Sequence, residues 1–343
     1  MRRVRERCAR LLGRSGASAL IASLRRPLSR GVTILAYHRV VDVHDAGKYP
    51  FDIELVSASV DGFASQMRFI RDHYHVATFQ EILGCVDRGQ AVPRSTAVVT
   101  FDDGFVDNYV NAFPILRDLR MPATVFLSTG YLDSGRTYWF EALCHAVMTT
   151  RAARLDVDGI PGFDIGTSEE QRRAACSGLL KVLKQIPDAE RRRVLGVVFR
   201  QLTSESDDTM ADARSAPMSW DQVREMSRNG IEFGSHSVSH SVLSRLEPET
   251  LREELEQSKA RIEDETGKPV SVLAYPVGGK DAFNDRVRAA VVAAGYRLGL
   301  SYLTGVQSPR TWDPFAIQRL HIEREIDLAY FKSLVALPEI FAY

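Results

Sequence analysis

Three short segments carry residue types that can do chemistry together. The first is Thr100-Phe101-Asp102-Asp103-Gly104. Two adjacent carboxylates repel each other, and a bound cation or a shared proton is the simplest way to offset that. Asp-Gly on its own is also a common turn pair. The second is Gly234-Ser235-His236-Ser237-Val238-Ser239-His240. Histidines at i and i+4 share one face if the segment is helical, and such a pair can put two imidazoles on one metal. An isolated H-x-x-x-H is more often two surface histidines, but this chain has only eight histidines in all. The third is Ala274-Tyr275-Pro276-Val277-Gly278-Gly279, whose proline and glycines make a tight loop that a ligand can approach closely.

Each segment ends a run that reads as a buried strand. The strands expected are Val32–Tyr37, Ala97–Phe101, Ala123–Ser128, Ile231–Gly234, Val272–Tyr275, Tyr296–Ser301 and Ile317–Ile322. Most are nearly continuous apolar runs, as parallel strands covered on both faces are. Helical patterns fill the gaps. Thr78 with Glu81 and Ser219 with Gln222 form capping-box patterns, and Asn229-Gly230 closes the second of these helices. Pro248 opens a long charged helix that Gly267 and Pro269 end, and Asn284 opens another that Gly295 closes. This alternation predicts an α/β fold, a distorted barrel of seven or eight βα units with its chemistry on the loops after the strands. The rhythm breaks over about 133–217. There the sequence predicts a helical insertion, with a weak strand Arg154–Val157, helices Ser168–Gln185 and Pro187–Leu202, and a polar loop Thr203–Pro217.

In this order the three segments resemble the polysaccharide deacetylase family, the NodB-homology or carbohydrate esterase family 4 group. The resemblance is to its T-F-D-D-G, H-[ST]-x-x-H and P-x-G motifs and covers roughly residues 32–335. It implies Asp103, His236 and His240 as ligands of a divalent metal, zinc first, with cobalt, nickel or iron as substitutes. It implies Asp102 as general base. Leu35-Ala36-Tyr37-His38-Arg39-Val40 is similar to the branch of exopolysaccharide poly-N-acetylglucosamine deacetylases, which makes His38 the general acid and His321 its competitor. Many members carry Arg before the proline of the third motif. Here Tyr275 stands there, and Arg319 and Arg39 are the candidates to replace that charge. Tyr275, Arg319 and Trp139 are the substrate-binding candidates, with Phe105, Tyr109, Tyr138 and Trp220 as further aromatics for a sugar wall. The implied reaction removes the N-acetyl group of an amino sugar in a glycan, giving acetate and a free amine. The rival readings are a deacetylase or deformylase of a lipid-linked or nucleotide-linked sugar at the inner membrane, and a non-catalytic glycan-binding scaffold on the same fold. A metal phosphoesterase is weaker, because the sequence offers no cluster for a second metal.

The 343 residues carry 44 basic and 44 acidic side chains. A zero balance argues against bulk binding of nucleic acid. It divides unevenly: residues 1–30 hold nine arginines and one glutamate, a net +8, and the deacetylase-like domain 31–343 holds −8. Val4, Cys8, Leu11 and Leu12 recur at helical spacing among those arginines, which fits a peripheral membrane contact through residues 1–30 as well as a helix docked on the body or a solvated tail. Neither a signal peptide nor a spanning segment is evident. Cys8, Cys85, Cys144 and Cys176 are far apart, and the expectation is no disulfide framework and a reducing, cytoplasmic setting, peripheral to the inner face of the membrane.

Overall fold

The computed structural model describes residues 2–25, 31–203 and 213–342. Seven parallel strands close into a barrel: β1 (Thr33–Tyr37), β2 (Thr96–Phe101), β3 (Thr124–Leu127), β4 (Glu232–Ser235), β5 (Val272–Ala274), β6 (Leu298–Thr304) and β7 (Ile317–His321). Each pairs with the next in sequence, and β7 returns to β1, where Leu35 faces Leu320. β1 lies along the whole of β2, from Thr33 opposite Ala97 to Tyr37 opposite Phe101. An eighth piece, His75–Val76, pairs only with the start of β2, while β3 takes its end. That short strand distorts the barrel without entering the closed ring. β1, β2 and β3 are buried along their whole length, as strands packed inside by the barrel core and outside by helices must be.

The helix ends follow the sequence with one correction. Ser219 and Gln222 make both bonds of a capping box at helix Trp220–Arg228. Thr78 accepts the Glu81 N–H, but the Glu81 carboxylate turns to His75 Nε2 at 2.6 Å instead of returning to Thr78. The long helix Pro248–Thr266 ends on Gly267 at φ 64°, a left-handed cap that glycine adopts without strain.

The insertion has its own core. Helices Trp139–Thr149, Glu169–Leu183 and Asp188–Leu202 pack Leu143, Val147, Leu179, Leu183 and Val198 together, beside a small hairpin of Arg154–Leu155 with Phe163–Asp164. The expected polar loop lies partly outside the described residues, and of it Ala213–Ser215 forms a helical turn. The cysteine reading is overturned here. Cys144 and Cys176 are bonded, with Cα atoms 5.6 Å apart, stapling the first two of these helices across 32 residues of chain. Wide spacing in sequence hid a pair that the helix packing brings together, and it removes the cysteine argument for a reducing compartment.

The basic segment forms helices Arg2–Arg14 and Ala17–Arg25, the first docked along helix Leu328–Ala336. Ser333 Oγ donates to the Ala9 carbonyl at 2.7 Å, and Arg10 reaches Asp327 and the Glu325 carbonyl. No helix among the described residues is long and apolar enough to cross a membrane.

Candidate functional site

The three motifs meet at the C-terminal rim of the barrel, on the loops that follow β2, β4 and β5. Asp103, His236 and His240 are all buried, and one ligand atom from each lies within 4.8 Å of the others. His236 Nε2 is 3.5 Å and His240 Nε2 3.1 Å from Asp103 Oδ1. The pair does not converge by sharing a helix face. Residues 236–240 form an irregular loop, with Ser237 at φ 66° and His240 at φ 53°. Four of the six non-glycine residues with positive φ among the described residues lie in the three motif loops: Asp103, Ser237, His240 and Val277. Strain collected in this way is held only where surrounding bonds over-determine it. Those bonds are present. Tyr138 Oη donates to the Asp103 carbonyl at 2.8 Å, Ser128 Oγ to the His236 carbonyl, and the Thr129 and Gly130 amides to the Ser237 and Val238 carbonyls. Gly104 sits at φ 88° with Leu127 so close that a Cβ would lie 2.6 Å from its methyl, so both the turn and the approach require glycine.

A cation fits this cluster. Both Asp103 carboxylate oxygens are buried without a hydrogen-bond partner among the described residues, and His240 turns its Nε2 to them. His236 Nδ1 lies 2.8 Å from the Ala274 carbonyl; a carbonyl can only accept, so Nδ1 carries the proton and Nε2 turns a lone pair toward Asp103. Ligand atoms each about 2.0–2.2 Å from a common zinc ion stand roughly 3–3.5 Å apart, the spacing seen between Asp103 and the two imidazoles. Burial pushes the Asp103 carboxyl up, against the pull of His38 and His236. Burial lowers His240 to about 3, and the positive charges of Lys184 and Arg191 add to it.

Asp102 is handled differently. Burial would raise its pKa, but the Arg319 guanidinium outweighs this, helped by His236 and His38, and holds the carboxyl well below its usual range. Arg319 makes two parallel bonds, Nη1 to Oδ1 at 2.7 Å and Nη2 to Oδ2 at 2.8 Å, with both side chains buried. Its Nε donates to the Ser301 carbonyl. Arg319 thus puts a charge against Asp102, as expected of a replacement for the absent arginine, and with its guanidinium buried and engaged there its reading as a substrate contact is corrected. Arg39 is engaged elsewhere: it joins Asp107, Glu141, Tyr49 Oη and the Arg214 carbonyl in a buried network that ties the barrel to the insertion.

The other sequence candidates separate. His38 Nε2 lies 3.9 Å from Asp102 Oδ2. Its backbone is fixed by Ser57 Oγ and Asn108 Nδ2. Burial lowers its pKa, while Asp103 and Asp102 pull the other way. His321 stacks flat on Tyr302 with ring centres 3.5 Å apart, and its Nε2 is buried without a hydrogen-bond partner among the described residues. Tyr275 is turned into the core, stacked on Phe283 with its hydroxyl on the Phe315 carbonyl, so its reading as a substrate contact is corrected too. Trp139 is at the site, with Nε1 3.5 Å from the His240 carbonyl and the Arg191 guanidinium over its ring. Phe105 and Tyr138 are core residues beneath the site, while Tyr109 and Trp220 bond Glu225 and Asp133. The sequence reading missed Tyr302, whose ring lies 5.7 Å from His38, and Lys184; no motif marks either.

A family model described as polysaccharide deacetylase matches residues 89–299. The YxkH protein of Bacillus subtilis, named as a polysaccharide deacetylase, is 21% identical over 76% of this chain and 63% of its own length. The poly-β-1,6-N-acetyl-D-glucosamine N-deacetylase of Staphylococcus aureus is 30% identical over 29% of this chain and 36% of its own length. The chain thus spans less than two thirds of either relative. Among solved structures, the deacetylase PplD of Streptococcus pyogenes superposes with a TM-score of 0.59 at 17% identity, covering 88% of this chain and 96% of that one. IcaB of Ammonifex degensii gives 0.55 at 17% identity, covering 89% and 98%. At these identities the structures establish the shared barrel fold.

Proposed function

The chain belongs to the polysaccharide deacetylase family, and we propose that it hydrolyses the N-acetyl group of an amino sugar in a glycan, giving acetate and a free amine. The observation that carries this is the pairing of two adjacent carboxylates with opposite environments: the Asp103 carboxylate faces two imidazoles without a hydrogen-bond partner among the described residues, while Asp102 is clamped by Arg319. The S. aureus relative, by its name, acts on a polymer of N-acetylglucosamine, which supports a polymeric or oligomeric N-acetylglucosamine substrate.

In this reading Asp103, His236 and His240 hold a divalent metal. Bound there, such an ion would supply Lewis-acid polarisation of the acetamide carbonyl and would lower the pKa of water beside it. One carboxylate and two imidazoles suit zinc, and also cobalt, nickel or iron. The chain's own residues do the rest. Asp102, kept ionised by Arg319, accepts a proton at a carboxylate oxygen from the attacking water. Arg319 also fixes the plane of that carboxylate, so the accepting lone pair keeps one direction. His38 Nε2, on the open side of Asp102, delivers a proton to the departing nitrogen. Burial disfavours the protonated imidazole and lowers its pKa, and the charges of Asp103 and Asp102 offset part of that. Trp139, beside the His240 loop, is the candidate for a sugar contact, through the small part of its ring that Arg191 and the core leave exposed.

The test is acetate release by metal-reconstituted protein from β-1,6-linked N-acetylglucosamine oligomers, chito-oligomers and lipid-linked sugars, with Asp102→Asn and His236→Ala alongside. Asp102→Asn is expected to keep its metal and lose about 10²–10⁴ in rate, as removal of a general base does. His236→Ala is expected to lose the metal. A fully active Asp102→Asn would refute the assignment.

A further inference from the structure

We propose that the first two helices form a docking face for an anionic lipid surface. Among the described residues the exposed large apolar side chains concentrate here: Val4 is 65%, Leu11 68%, Leu20 63% and Leu24 66% exposed, half of all such residues in 25 positions. The exposure is not incidental to a loose tail, because the opposite face of the first helix is docked. Ala9 is fully buried under Ser333, Gly13 packs against the Ala329 backbone, and Arg5 and Arg10 bond the Ala342 and Glu325 carbonyls. At 100° per residue, Val4, Cys8 and Leu11 fall within about 60° of one another. That stripe points away from the docked face, and the exposed Arg7 and Arg14 flank it. The helix has two apolar faces, and the barrel covers only one.

Charge selects the occupant. Residues 1–30 carry nine arginines and one glutamate; Arg5 and Arg10 serve the docked side, and Arg7 and Arg14 are exposed beside the apolar stripe. Two copies of such a face repel each other, whereas a layer of anionic headgroups attracts the arginines and admits the leucines below them. The first helix is docked toward the catalytic end of the barrel: Arg10 and Gly13, on its docked side, meet the start of helix Leu328–Ala336, which follows from the loop after β7. An enzyme held in this way works next to the membrane rather than free of it.

The test uses the full chain, sedimented with vesicles of phosphatidylcholine alone or with phosphatidylglycerol added. The protein is expected to partition onto the anionic vesicles, to dissociate as salt rises, and to ignore the neutral ones. Burying one leucine is worth at least about tenfold in partition. Leu11→Glu with Leu24→Glu is therefore expected to lower binding by more than that, and Arg7→Glu with Arg14→Glu to weaken it with a shallower salt dependence. All four positions are exposed, so an unchanged thermal unfolding midpoint certifies each fold. Absence of binding to anionic vesicles, equal binding to neutral ones, or unchanged binding by the leucine variant would overturn the proposal. So would concentration-dependent self-association that the leucine variant abolishes without any vesicle binding.

Discussion

Replacing Arg319 tests whether Asp102 is held by this one cation. The pair is buried, at 0% and 2% exposure, and joined by two bonds of 2.7 and 2.8 Å. Arg319→Met leaves Asp102 in place with its burial penalty and without its partner. Breaking a buried ion pair from one side costs about 3–5 kcal/mol, because the remaining charge is uncompensated. Asp102→Asn combined with Arg319→Met removes that charge and leaves only unmet hydrogen bonds, at about 1–3 kcal/mol. The double variant is therefore expected to be more stable than the Arg319→Met single variant by roughly 2 kcal/mol, the difference of those two ranges. The assay is urea unfolding at neutral pH with chelator present, so that metal binding does not contribute. Arg319→Lys keeps the charge but loses the fork, and should fall between wild type and Arg319→Met. If the costs of the two single substitutions simply add, Arg319 and Asp102 are not a coupled pair and the account of how the base is kept ionised is wrong.

Other perturbations give equally definite expectations. Gly104→Ala puts a side chain at φ 88° and against Leu127, and should cost about 1–3 kcal/mol in urea unfolding and weaken metal retention. Cys144→Ser with Cys176→Ser should destabilise by about 2–4 kcal/mol, and the variant's stability should no longer respond to a reductant that weakens the wild type. Burial raises the Asp188 carboxyl, but Arg191, Ser241 and Arg192 outweigh it and depress its pKa. A depressed carboxylate stabilises the fold above its unfolded value of 3.8 and loses that contribution as pH falls through the folded value. Wild type should therefore lose stability more steeply than Asp188→Asn below about pH 4, measured by urea unfolding across acid pH.

The barrel was legible because most strands are short buried apolar runs, and three of them, β2, β4 and β5, end in chemically marked loops. The order of Asp102-Asp103, His236 and His240 carried the site with it. What the sequence could not carry was direction. Tyr275 stands where an arginine was expected and reads as a ligand contact, yet stacking on Phe283 turns it inward. Arg319 reads both as a substrate residue and, with Arg39, as a replacement for that arginine, and only the register of strand β7, which aims it at Asp102, decides between them. The helical reading of the histidine pair fails because two left-handed residues fold 236–240 into a loop that brings the imidazoles together by another path. Cys144 and Cys176 meet only through packing of the insertion, a long-range contact with no local signature.

The central claim is that Asp103, His236 and His240 bind the ion beside which Asp102 activates water on an N-acetyl sugar. Its most direct measurement is acetate release by metal-loaded protein from N-acetylglucosamine oligomers, with bound metal quantified in the same samples of wild type and Asp102→Asn. The account predicts one metal per chain in both, with acetate and free amine appearing in equal amounts and about 10²–10⁴ more slowly in the variant. Equal rates in the two proteins, or no bound metal in wild type after reconstitution, would contradict it.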